Sequence, residues 1–485
     1  MLSPSVLTAR SGPPTVGVLP LLTFAALVAT ALVPLGLSWF VPHRSWALLV
    51  LISAVAGVAL TGLAVARAGY RARHALRVRR ALLRPMVEMA LHLSPVVLLT
   101  LVFPIASERI AGTEVGGAGL TELLLASSLT VPWLSQAVCL PMYRAIGPLM
   151  NDGDMDKIQR RFVQVWPTVF LQCLPVVVLF AVPVEIAMGW SVSALAAYLM
   201  LCILHLAFAQ SLVVINVARR RVQWAVAWAC YAGALFLFPT VWYLPPLVGL
   251  FTQLVLMRRH LRVMRRPVWL DRRDVARDLG RGLLLGSVLW SDKLMLFLKS
   301  DGVFEVNTVF LALLPAILAY NYYFVRLAPI FDGSVEAVRT AMEHEGNRVL
   351  SRRSTALSAV VTASIGRTAL LGAGFGLLVT CLVGLTEPTA TPLVAAVSVA
   401  SWFFMMNTVL CYKLDYIGQQ AQAQAFSAVH LVACLVIFLA FPVGPALYAW
   451  LVLIEAVLFA VALQACLTQW RSAEYALFWR HATAW

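Results

Sequence analysis

Charge is scarce in this chain, and acid is scarcer than base. Of its 485 residues only 12% are Asp, Glu, Lys or Arg, and 22 acidic residues face 37 basic ones. A soluble domain carries about 25% charged residues, so a water-soluble globular fold is excluded. No polar stretch is long enough to build a folded domain with a basic face, which removes nucleic acid as a partner despite the net charge of +15. No Walker loop, HExxH or GxSxG element is present, so no catalytic residue is assigned and no cofactor is expected. Paired cysteines are missing too. The eight cysteines lie in or beside apolar runs with no CxxC pair and no metal-ligand spacing, and read as small packing residues.

Long hydrophobic runs are what the chain has in quantity, with 61% of its residues apolar. The first, residues 17–40, is too long for a signal-peptide core and ends without a small-residue cleavage site, so it reads as a retained span. At roughly 20 residues per crossing, the runs give 14 expected spans: 17–40, 46–66, 86–106, 119–140, 165–189, 193–217, 222–239, 241–257, 282–299, 304–330, 366–386, 391–412, 422–441 and 444–468. The fold class is therefore an all-α polytopic membrane protein. Threaded from a cytoplasmic N-terminus, these spans place 33 Lys and Arg inside and three outside (Arg44, Arg109 and Lys299), with Lys293 inside a span. Positive residues collect in cytoplasmic loops, so a multi-pass protein of the cytoplasmic membrane with both termini in the cytosol is expected.

The polar stretch 258–281 divides the last 12 spans into six and six. The expected organisation is an N-terminal helix pair with a basic run (1–78), a six-helix lobe (79–257), a basic cytoplasmic linker (258–281) and a second six-helix lobe (282–485). A faint repeat agrees with this: Pro132 is followed by PMYRAIGPLMNDGD and Pro315 by YYFVRLAPIFDGS, each on the second span of its six.

Two apparent motifs dissolve on inspection. Asp152, Asp154 and Asp156 have calcium-loop spacing, but the twelfth position is Val163, not Glu. Glu343, His344 and Glu345 are neighbours that share no helix face. What remains are ionisable groups inside spans, which cost about 2.5–3.5 kcal/mol each at a helix centre and usually face protein or a water-filled cavity. Asp292 and Lys293 fall mid-span, about 100° apart on a helix, so each is expected to find a partner elsewhere or to share a wide polar cavity. Lys299 returns to the Asp292 face. Glu88 and His92, four apart, open the first lobe as Asp292 and Lys293 open the second. Tyr320, Asn321, Tyr322, Tyr323 and Arg326 close the tenth span as an aromatic and polar set suited to a sugar-lined path. Glu122, His205, His430 and Glu455 stand isolated and read as packing residues.

Several ordered segments carry a resemblance: residues 121–154, LWSDKLMLF at 289–297, 313–338, VLCYKLDY at 409–416, GPALYAW at 444–450 and SAEYALFW at 472–479. From about residue 80 onward the chain resembles the PelG family of exopolysaccharide transporters, within the multidrug, oligosaccharidyl-lipid and polysaccharide transporter superfamily. The resemblance implies two six-helix bundles around a central cavity, a polysaccharide substrate, a cytosolic glycosyltransferase and small membrane subunits as partners. It carries over Trp290, Asp292 and Lys293 as W-x-D-K, Tyr323 and Arg326 in the tenth span, and Asp415 as a cytoplasmic element. Two departures stand out: residues 1–78 are additional, and a neutral LAPIF replaces the family's acidic glutamate after the tenth-span arginine. The additional pair of spans holds no charge and is expected against lipid, with its seven arginines (Arg67 to Arg84) meeting anionic lipids or an acidic partner. A lipid-linked oligosaccharide flippase remains open, using Lys293, Lys299 and Arg326 for pyrophosphate. So do a membrane-embedded transferase and a non-transporting scaffold for a synthase.

Overall fold

A computed structural model describes residues 87–150, 154–302 and 306–482. The first two expected spans and the seven-arginine run lie outside them. In each of the other 12 spans most of the described residues are helical. After a short helical stretch at 87–92 come α1 (Ser94–Ile110), α2 (Leu120–Met150), α3 (Met155–Met188), α4 (Val192–Ser211) and the short α5 (Val213–Val217), then α6 (Arg221–Leu237) and α7 (Leu244–Leu256). The second half holds α8 (Arg272–Lys299), α9 (Val306–Tyr322), α10 (Ala328–His344), α11 (Asn347–Thr386), α12 (Thr391–Tyr416), α13 (Gln420–Ala440), α14 (Pro445–Arg471) and α15 (Ala473–Ala482). Eight helical segments among the described residues are long and apolar enough to cross a membrane; the protein is a multi-pass helical membrane protein.

Local chemistry sets the ends. Asp154 caps α3 by accepting from the backbone N–H groups of Asp156 and Lys157, which holds its exposed carboxyl below the usual range. Between α1 and α2 the chain makes a minimal antiparallel hairpin, β1 (Glu114–Val115) and β2 (Ala118–Gly119), an addition to the all-helical expectation. Its turn uses Gly116 and Gly117 at φ +62° and +85°, and a Cβ on Gly116 would strike Ser193 and Ala194 at the start of α4.

Three expected boundaries change. The tenth span does not end at 330. It passes through one π turn, Tyr323–Leu327, and continues as α10 to His344. Pro329 has no N–H to give the carbonyl four residues earlier, which accounts for the irregular turn. Asp332 and Gly333 therefore sit inside a helix; their counterparts in the repeat, Asp152 and Gly153, lie outside the described residues. The linker is also ordered: Arg272 onward is already α8, and the preceding strap docks on α3. There the Val268 N–H donates to the Gln164 carbonyl, Thr168 donates to the Val268 carbonyl and Gln172 to the Leu270 carbonyl. Third, α7 has only 13 residues, about 20 Å of helix against a hydrocarbon core of about 30 Å.

The apolar side chains gather into two large cores and one small one. Residues of α2, α3 and α4 dominate the first core, and those of α9 to α15 the second. Helix α8 belongs to both: Leu294 and Phe297 join the first core, Val288 and Leu296 the second. Met89 and Leu93 of the opening segment also join the second core, while Val102 and Ala106 of α1 pack with α6 residues in the small cluster.

Candidate functional site

Helix α8 is the element on which the candidate residues converge, and its sequence explains why it can lie so close to α2. Gly282 and Gly286, in GLLLG, form a small-xxx-small face. A Cβ on Gly282 would overlap the Ala137 backbone, and one on Gly286 would lie 2.9 Å from Trp133 Cδ1. The Trp133 indole donates to the Leu283 carbonyl at 2.8 Å. Trp290 packs against both large cores, so the tryptophan of W-x-D-K sits where the two halves meet.

Asp292 and Lys293 behave otherwise than expected: they bind each other. Lys293 Nζ lies 2.9 Å from Asp292 Oδ1. Their Cα–Cβ directions diverge by about 100°, but the four-carbon stem of lysine bends the ammonium back to its neighbour, and pairing is what makes two buried charges tolerable. The two side chains are 0% and 1% exposed, so they face protein, not an open cavity, in this conformation. Lys293 also donates to Ser401 Oγ at 3.2 Å and sits over the Phe404 ring at 4.8 Å, while the Tyr448 hydroxyl donates to Asp292 Oδ2 at 3.5 Å.

A second buried pair adjoins the first. His430 Nδ1 is 2.8 Å from Glu455 Oε1, and both side chains are fully buried. Asn407 donates to Glu455 Oε2 at 2.7 Å, and Ser291 hydrogen-bonds His430 Nε2 at 3.1 Å. His430 meets the Phe404 ring at 5.0 Å in a near-perpendicular arrangement, so one phenylalanine touches both pairs. Four helices, α8, α12, α13 and α14, thus share a polar network inside the second core. His430 and Glu455 are not isolated packing residues. The other two so read are satisfied singly: Glu122 accepts from Trp190 and His205 hydrogen-bonds Tyr231.

The remaining expected residues separate into other neighbourhoods. Lys299 does not serve the Asp292 face; its ammonium donates to the carbonyls of Phe438 and Phe441 at the end of α13. Glu88 and His92 lie in electrostatic reach of Arg221, and His92 stacks on Trp224 with ring centroids 5.7 Å apart. Tyr320 reaches Gln136 of α2 across the two halves. Tyr323 and Arg326 share the π turn. The fully buried Lys413 ammonium lies 5.1 Å from the Tyr323 ring centre and 4.1 Å from that of Phe331.

At the arginine-rich end α8 is clasped on both sides. Arg144 of α2 pairs with Asp278 at 2.9 Å and with Asp274 at 3.4 Å, and Arg281 pairs with Asp415 of α12. Burial holds the Asp278 carboxyl above the usual range, against the opposing pull of Arg144 and Arg281. Among the described residues no cluster of three or more His, Cys, Asp or Glu is placed to hold a metal ion.

No protein-family model and no curated protein match the chain. Among solved structures it is similar to the crystal structure of a MATE P26A mutant, at 12% identity, covering 81% of this chain and 96% of that one with a TM-score of 0.39. A likeness at that score carries no conclusion about fold or activity.

Proposed function

We propose that the chain passes an exopolysaccharide across the cytoplasmic membrane, acting with a cytosolic glycosyltransferase and small membrane subunits, with both termini in the cytosol. The observation that carries the reading is the network of two fully buried ionisable pairs mid-membrane, anchored on α8, the helix that also forms the seam between the halves. Charges there are expensive and mark transport pathways or relays, whereas a passive scaffold has no use for them. In this reading the halves rock about the α2–α8 seam, Trp290 moves with it, and the aromatic set around Tyr320 and Tyr323 lines the sugar path. The PelG-like segments supply the substrate class.

The rival readings fare less well. A pyrophosphate-handling flippase would use Lys293, Lys299 and Arg326, yet the two lysines are both engaged, which leaves Arg326 alone of the three to meet the charge. A transferase needs a carboxylate or histidine open to substrate, and the His430–Glu455 pair is closed off inside the second core. Deleting the chain from its host tests the proposal: extracellular polymer should vanish and polymer should build up inside. Undiminished extracellular polymer would refute export, and accumulation of a lipid-linked oligosaccharide would favour the flippase.

A further inference from the structure

Apart from the buried network, the arginine-rich end of the first half carries a cavity of 520 Å³ between the starts of α3 and α6 and the end of α7. Arg220, Arg258, Arg259 and His260 line it. Asp156 is its one carboxylate among the described residues, and His260 Nε2 already holds that group at 3.1 Å. Among the described residues none of the three arginines has an ion-pair partner. The first N–H groups of α3 are taken by Asp154, so the attraction in this cavity comes from the guanidinium groups.

The cavity has a second wall of different character. Val255 and Leu256 line it and are 44% and 42% exposed. Val255 continues an exposed apolar stripe along α7 through Leu247 and Phe251, beside exposed Val222 and Val226 on α6. Apolar side chains exposed on a membrane helix face acyl chains. The cavity therefore joins a lipid-facing surface to three arginines that have no ion-pair partner among the described residues.

We propose that this cavity is a binding site for a phosphate-bearing anion, and its apolar wall favours an anionic phospholipid headgroup over a soluble phosphate. Guanidinium groups bind phosphate oxygens in bidentate pairs, and the volume lies within the range of small-ligand pockets, about 300–1,000 Å³. The site is independent of the transported substrate.

The test uses the purified full chain in mixed micelles of phosphatidylglycerol and phosphatidylcholine, with retained lipid counted by native mass spectrometry. One phosphatidylglycerol should be held in preference to phosphatidylcholine. In the triple variant Arg220→Gln, Arg258→Gln, Arg259→Gln that preference should weaken on the order of 100-fold, the effect of three surface cations. The exposed pair Arg272→Gln, Arg273→Gln serves as a control of equal kind and should leave it intact, and a thermal melt checks that all variants fold. A parallel titration uses inorganic phosphate. Protection against melting by phosphate, lost in the triple variant, together with no lipid preference would keep the site and assign it to soluble phosphates. Equal lipid and phosphate binding by wild type and triple variant overturns the proposal.

Discussion

Removing one partner of the Asp292–Lys293 pair should cost far more than removing both. In Lys293→Gln the Asp292 carboxylate stays buried at 0% exposure and loses its cation, keeping the Tyr448 hydroxyl 3.5 Å away, the backbone N–H of residue 293 and the more distant His430. Stranding a buried charge in this way costs about 3–5 kcal/mol, so the single variant should show a sharply lowered melting temperature. In the double variant Asp292→Asn, Lys293→Gln both charges go. The amides can still hydrogen-bond Ser401 and Tyr448, the lysine and aspartate partners, so the loss should shrink to about 1–2 kcal/mol. A double-mutant cycle read by thermal unfolding in detergent, with polymer secretion measured in cells at matched membrane levels, separates structure from transport. The double variant should insert and melt nearly as wild type yet fail to export. Wild-type secretion by that variant would show that the charges take no part in transport. Equal instability of single and double variants would refute the argument from stranded charge.

The seam makes its own prediction: Gly282→Ala, whose Cβ overlaps the Ala137 backbone, should destabilise by about 1–3 kcal/mol, whereas Gly280→Ala on the open face should be neutral or slightly stabilising; equal melting of the two would break the close-packing argument. The clasp should respond to pH. Because burial raises the Asp278 pKa in the closed state, that state binds the proton more tightly than a hydrated open one, so acid favours closure and alkali opening. Spin labels at Met150 and Arg277 should report longer distances as pH rises above the carboxyl's raised pKa, and Asp278→Asn should abolish the response; a response that survives this change assigns it elsewhere. Deleting residues 2–66 should leave a folded core, and replacing the seven arginines from Arg67 to Arg84 by glutamine should weaken pull-down of the glycosyltransferase at physiological salt; undiminished pull-down leaves the run as a topology and lipid signal.

The helices of the membrane were legible because an apolar run of the right length has few other uses, and the described part of each expected span is mostly helical. Their extensions beyond the membrane were not. Residues 331–344 and 347–365 mix polar with apolar positions, so hydropathy read them as a connection although they are helical. Of the site, Asp292 and Lys293 stand out by burial cost alone, but their pairing is hidden from the sequence because Cβ directions ignore the reach of a lysine stem. The wider network left no local signal: Ser291 meets His430 across 139 residues, and Tyr448 meets Asp292 across 156. The α2–α8 seam did leave one, in GLLLG, whose meaning depends on an apolar partner helix that the sequence does not name.

Transport, as against scaffolding, is tested most directly by measuring secreted polymer and glycosyltransferase pull-down together in the Asp292→Asn, Lys293→Gln variant. The account predicts that the partner is retained at wild-type level while extracellular polymer is lost and polymer remains inside the cell. Undiminished secretion, or a loss of secretion that only follows loss of the partner, would contradict it.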